Sequence, residues 1–143
     1  MATVQGAAGA ESRPQTHQSM DRQPVPPSVP SARMAGDATE APLLLAIRGR
    51  TKTGKRDELF ALFETHLAPR AEKNRAQRLV VWAADADDAD AFSLIEIYDD
   101  ALAAAANANA AWFAEYMAAS SPLLEGRPSM TTGTPRWVKG VRL

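Results

Sequence analysis

From Leu43 onward the apolar residues fall into six runs. Their period switches between two and 3.6 in the order strand, helix, strand, strand, helix, strand. Leu43-Leu44-Leu45-Ala46-Ile47, bounded by Pro42 and the polar stretch from Arg48 to Lys52, has strand length, and its unbroken apolarity predicts burial on both faces. Thr53-Gly54 punctuates the chain. Lys55 to Leu67 then reads as a helix, with Leu59, Phe60, Phe63 and Leu67 on one stripe and Asp57 and Glu58 near its positive end. Pro69 is expected to kink or end it, because proline removes a hydrogen bond and crowds the preceding turn. Leu79 to Ala84 and Phe92 to Tyr98 read as strands joined into a hairpin by the acidic turn Asp85 to Asp90. Ala101 to Ala119 reads as one alanine-dense helix, capped by Asp99 or Asp100 and stopped by Gly126. Met130 to Thr132 and Arg136 to Val141 then supply a fourth strand, interrupted near Gly133 and Pro135.

That order is the split βαβ pattern of α+β ferredoxin-like βαββαβ folds, a four-stranded antiparallel sheet with both helices on one face. The other face is left bare, and the first strand is apolar on both sides. A second copy of the chain, in an isologous homodimer, is the expected cover.

The domain boundary follows the aromatic residues. Every Phe, Tyr and Trp lies at Phe60 or later, while residues 1–41 are rich in Ala, Pro, Gln, Ser and Gly. Such a segment has too little apolar area to offset its ordering entropy, so residues 1–41 are expected to be a disordered tail and 42–143 the domain. The tail carries mixed charges and no basic start followed by an apolar core, so it does not read as a secretory signal. Met20 and Met34 are alternative start positions within it.

Charge and composition narrow the function. Sixteen basic residues against 17 acidic ones leave a net charge of -1, which argues against nucleic acid or an anionic membrane as partner. No cysteine is present, so thiolate metal sites, disulfides and Cys nucleophiles are excluded, and two histidines make a His-based metal centre a poor expectation. The acidic turn lacks the central Gly and distal Glu of an EF-hand loop and reads as a solvated turn, with no metal. A cytoplasmic protein whose chemistry resides in a pocket is the expectation.

Several local patterns point further. The first strand closes at Thr53-Gly54-Lys55 and an amphipathic helix follows. Phe92-Ser93-Leu94-Ile95-Glu96-Ile97-Tyr98 ends in Glu, any residue, then an aromatic. The alanine-rich helix carries Trp112-Phe113 and then Tyr116. Over residues 42–125 these features resemble the antibiotic biosynthesis monooxygenase family of dimeric α/β barrels. The resemblance implies a cofactor-independent monooxygenase, using neither metal nor flavin, that oxidises an aromatic polyketide-like anthrone or phenol with O2 in secondary metabolism. An electron-rich phenolate would pass an electron directly to oxygen within an apolar pocket. Tyr98 and Asn107 would be catalytic, and Phe63, Trp82, Leu94, Glu96, Trp112 and Phe113 would contact substrate.

Two departures bear on the chemistry. Counted from Glu96, the family often has His where Asn107 and Trp112 stand here, and the polar Asn in the first strand of haem-degrading relatives corresponds to Ile47. Both argue against haem degradation, and both remove a convenient general base. A non-catalytic small-molecule binding protein of the same fold therefore stays open, as does an isomerase or cyclase using the same pocket.

Individual residues also keep two readings. Tyr98, on the same side of its strand as Glu96 and Leu94, is either a pocket phenol or a core tyrosine. Glu96, a carboxylate within an apolar strand, needs a partner or water; a structural ion pair with Arg48 or Arg50 is the expectation, and a catalytic base is the other reading. Asn107 points into the pocket or to solvent, and Asn109 is expected to be solvated. Trp82 and Trp112 are core or pocket lining, Trp137 belongs to the dimer seam, and His66 is expected to be a satisfied, partly exposed histidine.

Overall fold

The computed structural model describes residues 40–143. The expected tail over residues 1–41 falls almost wholly outside them. Strands β1 (Leu43–Arg50), β2 (Gln77–Ala84), β3 (Ala91–Tyr98) and β4 (Ser129–Gly133) form one antiparallel sheet in the order β2-β3-β1-β4. With helices between β1 and β2 and between β3 and β4, this is the ferredoxin-like βαββαβ fold.

Register sorts the side chains. Leu45 pairs with Glu96 and Ile47 with Leu94 across β1 and β3, and Val80 and Trp82 sit opposite Glu96 and Leu94 across β2 and β3. These positions face the helices. One core cluster joins Leu59, Phe92 and Leu123, and another joins Phe63, Leu67 and Leu94. Gly49 permits the close fit at one end: a Cβ there would stand 2.6 Å from the Phe92 ring.

The alternate residues Leu44, Ala46, Val81 and Ile95 face the opposite side. Val81 is 41% exposed and Ile95 37%, so the middle of that face is apolar and open to solvent.

The first helical arm does not end at the proline. α1 (Arg56–Leu62) passes into a π-helical turn, Phe63–Leu67, and the chain resumes as α2 (Ala68–Lys73) with Pro69 in its first turn. A π turn is one residue wider than an α turn. It accommodates the ring, and a first-turn proline lacks only an N–H that would be unpaired anyway.

The second arm is also divided. α3 (Ala101–Ala108) is capped by Asp100, whose carboxylate accepts from the Ala103 N–H at 2.8 Å. Asp99 instead pairs with Arg78. Ala110 is extended, and α4 (Ala111–Ser120) begins after it. The single helix expected over 101–119 is therefore two. α4 ends at Ser120 in a 3-10 turn, Ser121–Leu123, ahead of Gly126. Beyond β4 no strand forms over residues 134–143, and Trp137 there is 79% exposed. The second half of the expected fourth strand is absent: Gly133 pairs with Leu44, so only Leu43 of β1 remains beyond it, and Pro135 lacks a ladder donor.

The acidic turn between β2 and β3 is internally satisfied. Asp85 accepts from the N–H groups of Asp87 and Asp88, and Asp90 accepts from the Gly54 N–H. Arg48 pairs with Asp85, and Arg50 pairs with Asp88 at 2.8 Å and Glu125 at 2.6 Å. Both arginines are thus engaged at the β2–β3 turn, away from Glu96.

Candidate active site

Between the helix-facing side of the sheet and the helices lies a cavity of about 390 Å³, within the size range of small-molecule sites. Its floor is Leu45, Ile47, Phe92, Leu94, Glu96 and Tyr98 from the two central strands. α3 and α4 roof it with Asn107, Phe113, Tyr116 and Met117. The small alanines Ala104 and Ala108 leave the space that larger residues would fill.

The polar end is one hydrogen-bonded network. The Tyr98 hydroxyl donates to Glu96 Oε2 at 3.3 Å. It accepts from Asn107 Nδ2 and from Gln77 Nε2, each at 2.9 Å. Gln77 Nε2 also donates to Glu96 Oε1 at 3.3 Å. A phenol offers one donor and two lone pairs, and Tyr98 uses all three within the protein. What remains free toward a ligand is lone-pair capacity on the Glu96 carboxylate and the side-chain oxygen of Asn107.

Glu96 is 7% exposed and, among the described residues, has no cation within ion-pair distance. The expected ion pair with Arg48 or Arg50 is therefore replaced by neutral donors. Burial raises the Glu96 carboxyl above its ordinary range, and the Tyr98 hydrogen bond only partly opposes this. Burial, reinforced by the nearby Glu96 charge, also pushes the Tyr98 and Tyr116 phenols upward. Tyr98 thus stays a neutral phenol across the physiological range, and Glu96 is the group able to exchange a proton.

Of the residues expected to contact substrate, Leu94, Glu96, Phe113, Tyr98 and Asn107 line this cavity. Trp82 does not. It is held between Phe60, at 4.8 Å between centroids, and Phe92, stacked at 5.8 Å. Phe63 and Trp112 border an adjoining crevice that shares Leu67, Glu96 and Asn107 with the cavity, and Arg70 lies over the Trp112 ring. Asn109 is exposed. His66 is half-buried with its ring 6.3 Å from Tyr116, outside the cavity lining.

Gln77 was not anticipated as a site residue, for a specific reason. Strict alternation back from Trp82 and Val80 places Arg78, not Gln77, on the helix side. A register shift between Gln77 and Leu79 reverses this and sets Gln77 opposite Tyr98. Nothing local in the sequence marks that bulge.

No protein-family model matches the sequence, and no curated protein matches it. Solved structures do share its fold. One, provisionally described as an antibiotic biosynthesis monooxygenase from Chloroflexus aurantiacus, superposes with a TM-score of 0.63 at 20% identity, covering 71% of this chain and 100% of that one. Another given the same provisional description, from Caulobacter crescentus, reaches 0.65 at 13% identity over 72% and 97%. A third, from Nitrosomonas europaea, reaches 0.64 at 15% identity over 71% and 96%. The chain thus has the fold of the structures described as antibiotic biosynthesis monooxygenases. Among the described residues no helix is long and apolar enough to cross a membrane.

Proposed function

We propose that the protein is a cofactor-independent monooxygenase acting on an electron-rich aromatic substrate of the anthrone or phenol class. The observation that carries this reading is the buried, cation-free carboxylate of Glu96 at the end of an apolar cavity, with its proton affinity raised by burial. Such a group is a competent general base for an acidic C–H or phenolic O–H. Glu96 would take that proton, and the resulting anion would transfer an electron to O2. Recombination of substrate radical and superoxide gives a peroxide, and loss of water from it leaves the new carbonyl. For an anthrone, the CH2 group plus O2 becomes C=O plus H2O, so atoms and electrons balance without another reductant.

Tyr98 and Asn107 have different parts in this scheme. Tyr98 holds Glu96 in place and moderates the proton affinity that burial raises, so it is a positioning residue. Asn107 lines the cavity, its amide nitrogen restrains Tyr98, and its side-chain oxygen would accept from the ligand. The closeness of Glu96 to Tyr98 also suits proton-transfer chemistry alone, which keeps an isomerase or cyclase as the second reading.

Oxygen uptake by chelator-treated protein with anthrone separates the two. Uptake supports the oxygenase, and anthrone binding without uptake overturns it. In the Tyr98→Phe variant kcat is expected to fall about tenfold at neutral pH, less than the roughly 10²–10⁴-fold contribution of a general base itself, because Glu96 is still present. Removing its hydrogen bond also raises the Glu96 carboxyl further, so the rise of kcat with pH shifts upward in Tyr98→Phe. An unchanged pH profile would remove Tyr98 from the mechanism.

The proposal includes a homodimer in which the open sheet face of each copy covers the other. Ile95→Arg places a charge in the middle of that face and is expected to yield a folded monomer by analytical ultracentrifugation. A wild-type protein that is already monomeric would overturn the dimer.

A further inference from the structure

The cavity has a second polar pole. Arg127 lines its mouth beside Pro128 and Met130. Gly126, at φ +76°, turns the chain there; in an extended run, residues 125 and 127 would project to the same side. Glu125 is engaged by Arg50 at 2.6 Å, whereas Arg127 borders the cavity. Among the described residues no carboxylate lies within 4.0 Å of the Arg127 guanidinium.

The two poles are well separated. Pro128 sits against Gly49, 3.2 Å from where a Cβ would stand, and Gly49 pairs with Phe92. Glu96 is four residues further along β3, about 13 Å at strand spacing. Between the poles the lining is mainly apolar: Ile47, Leu94, Phe113, Met117 and Met130. At that spacing Glu96 and Arg127 can meet opposite ends of one flat, apolar-bodied ligand lying along the sheet.

We propose that Arg127 is an anion subsite, and that the ligand is a fused aromatic hydroxy acid whose carboxylate meets Arg127 while its ionisable hydroxyl or activated carbon meets Glu96. This rests on the cavity being the substrate site. A guanidinium pairs with a carboxylate through two parallel hydrogen bonds, while the Glu96 end repels the same carboxylate. Together the poles admit the ligand in one orientation, which decides the ring position presented to the base.

The test compares 2-naphthol with 6-hydroxy-2-naphthoate by calorimetry at pH 7, using the full chain. The naphthoate is expected to bind about tenfold more tightly, with the advantage shrinking as salt is raised, since the mouth is exposed. Arg127→Gln should erase that advantage and leave 2-naphthol affinity unchanged, while Arg127→Lys should keep part of it. Equal binding of the two compounds to the wild type, or an advantage that survives in Arg127→Gln, overturns the subsite and leaves the cavity reading intact. Failure of both compounds to bind overturns the cavity reading together with the subsite.

Discussion

Replacing Glu96 by Gln is expected to reduce kcat for oxygen uptake by about two orders of magnitude or more, the usual contribution of a positioned general base. Gln preserves the shape of the side chain and, with its one carbonyl oxygen, can accept from either Gln77 or Tyr98 but not from both, and it cannot take a proton. The fold should survive, and the sign of the stability change follows from the raised carboxyl. Below the ordinary carboxylate range near 4.5, Glu96 is protonated in both folded and unfolded chains and costs nothing. As pH rises through that value toward the raised folded one, the unfolded chain ionises first and stability is lost. Glu96→Gln should therefore match the wild type in acid and equal or exceed it at neutral pH in urea denaturation. The wild-type kcat should rise with pH through a midpoint above 4.5. A Glu96→Gln enzyme that retains more than a tenth of wild-type turnover would remove the base from the mechanism.

Leu59→Ala should have the largest effect on stability. Leu59 is 1% exposed and packs with Phe92 and Leu123, with Leu62, Trp82 and Leu124 around them. Truncating a leucine at such a position costs about 2–5 kcal/mol, because the lost transfer energy is joined by that of the hole left behind. The mutation also enlarges the cavity, since Leu59 borders it from α1. Urea denaturation should show a lower midpoint with an unchanged slope. A loss under about 1 kcal/mol would mean the surrounding side chains collapse into the space, contrary to a core held by the Trp82–Phe92 stack.

Comparison of these residues with their places in the chain shows what local pattern can carry. Alternation along Phe92 to Tyr98 placed Leu94, Glu96 and Tyr98 on one side of β3, and all three border the cavity. The same logic failed at Gln77 because one extra residue in β2 reverses the faces. Pro69 does not end the helix, one of the two effects expected of it; the chain passes through a π turn just before the ring and continues. The break at Asn109 and Ala110 has no glycine or proline to announce it. An alanine run propagates well by intrinsic preference, and the division appears only where Asn107 is tethered to Tyr98.

The partners of charged residues were the least legible. Arg48 and Arg50 lie on the same strand as the residue opposite Glu96, yet both reach the acidic turn. A long cationic side chain has several carboxylates within its radius, and which one it meets depends on the twist and length of a hairpin. The sequence by itself determined the order of elements, the apolar faces and the presence of a lone carboxylate in an apolar strand, because these follow from periodicity over a few neighbours. Only the tertiary structure decided that the carboxylate has no cation, that Tyr98 is fully occupied within the protein, and that Arg127 stands at the far end of the same cavity. Those are relations between different strands and helices, and they exist only once the sheet and its helices have been brought together.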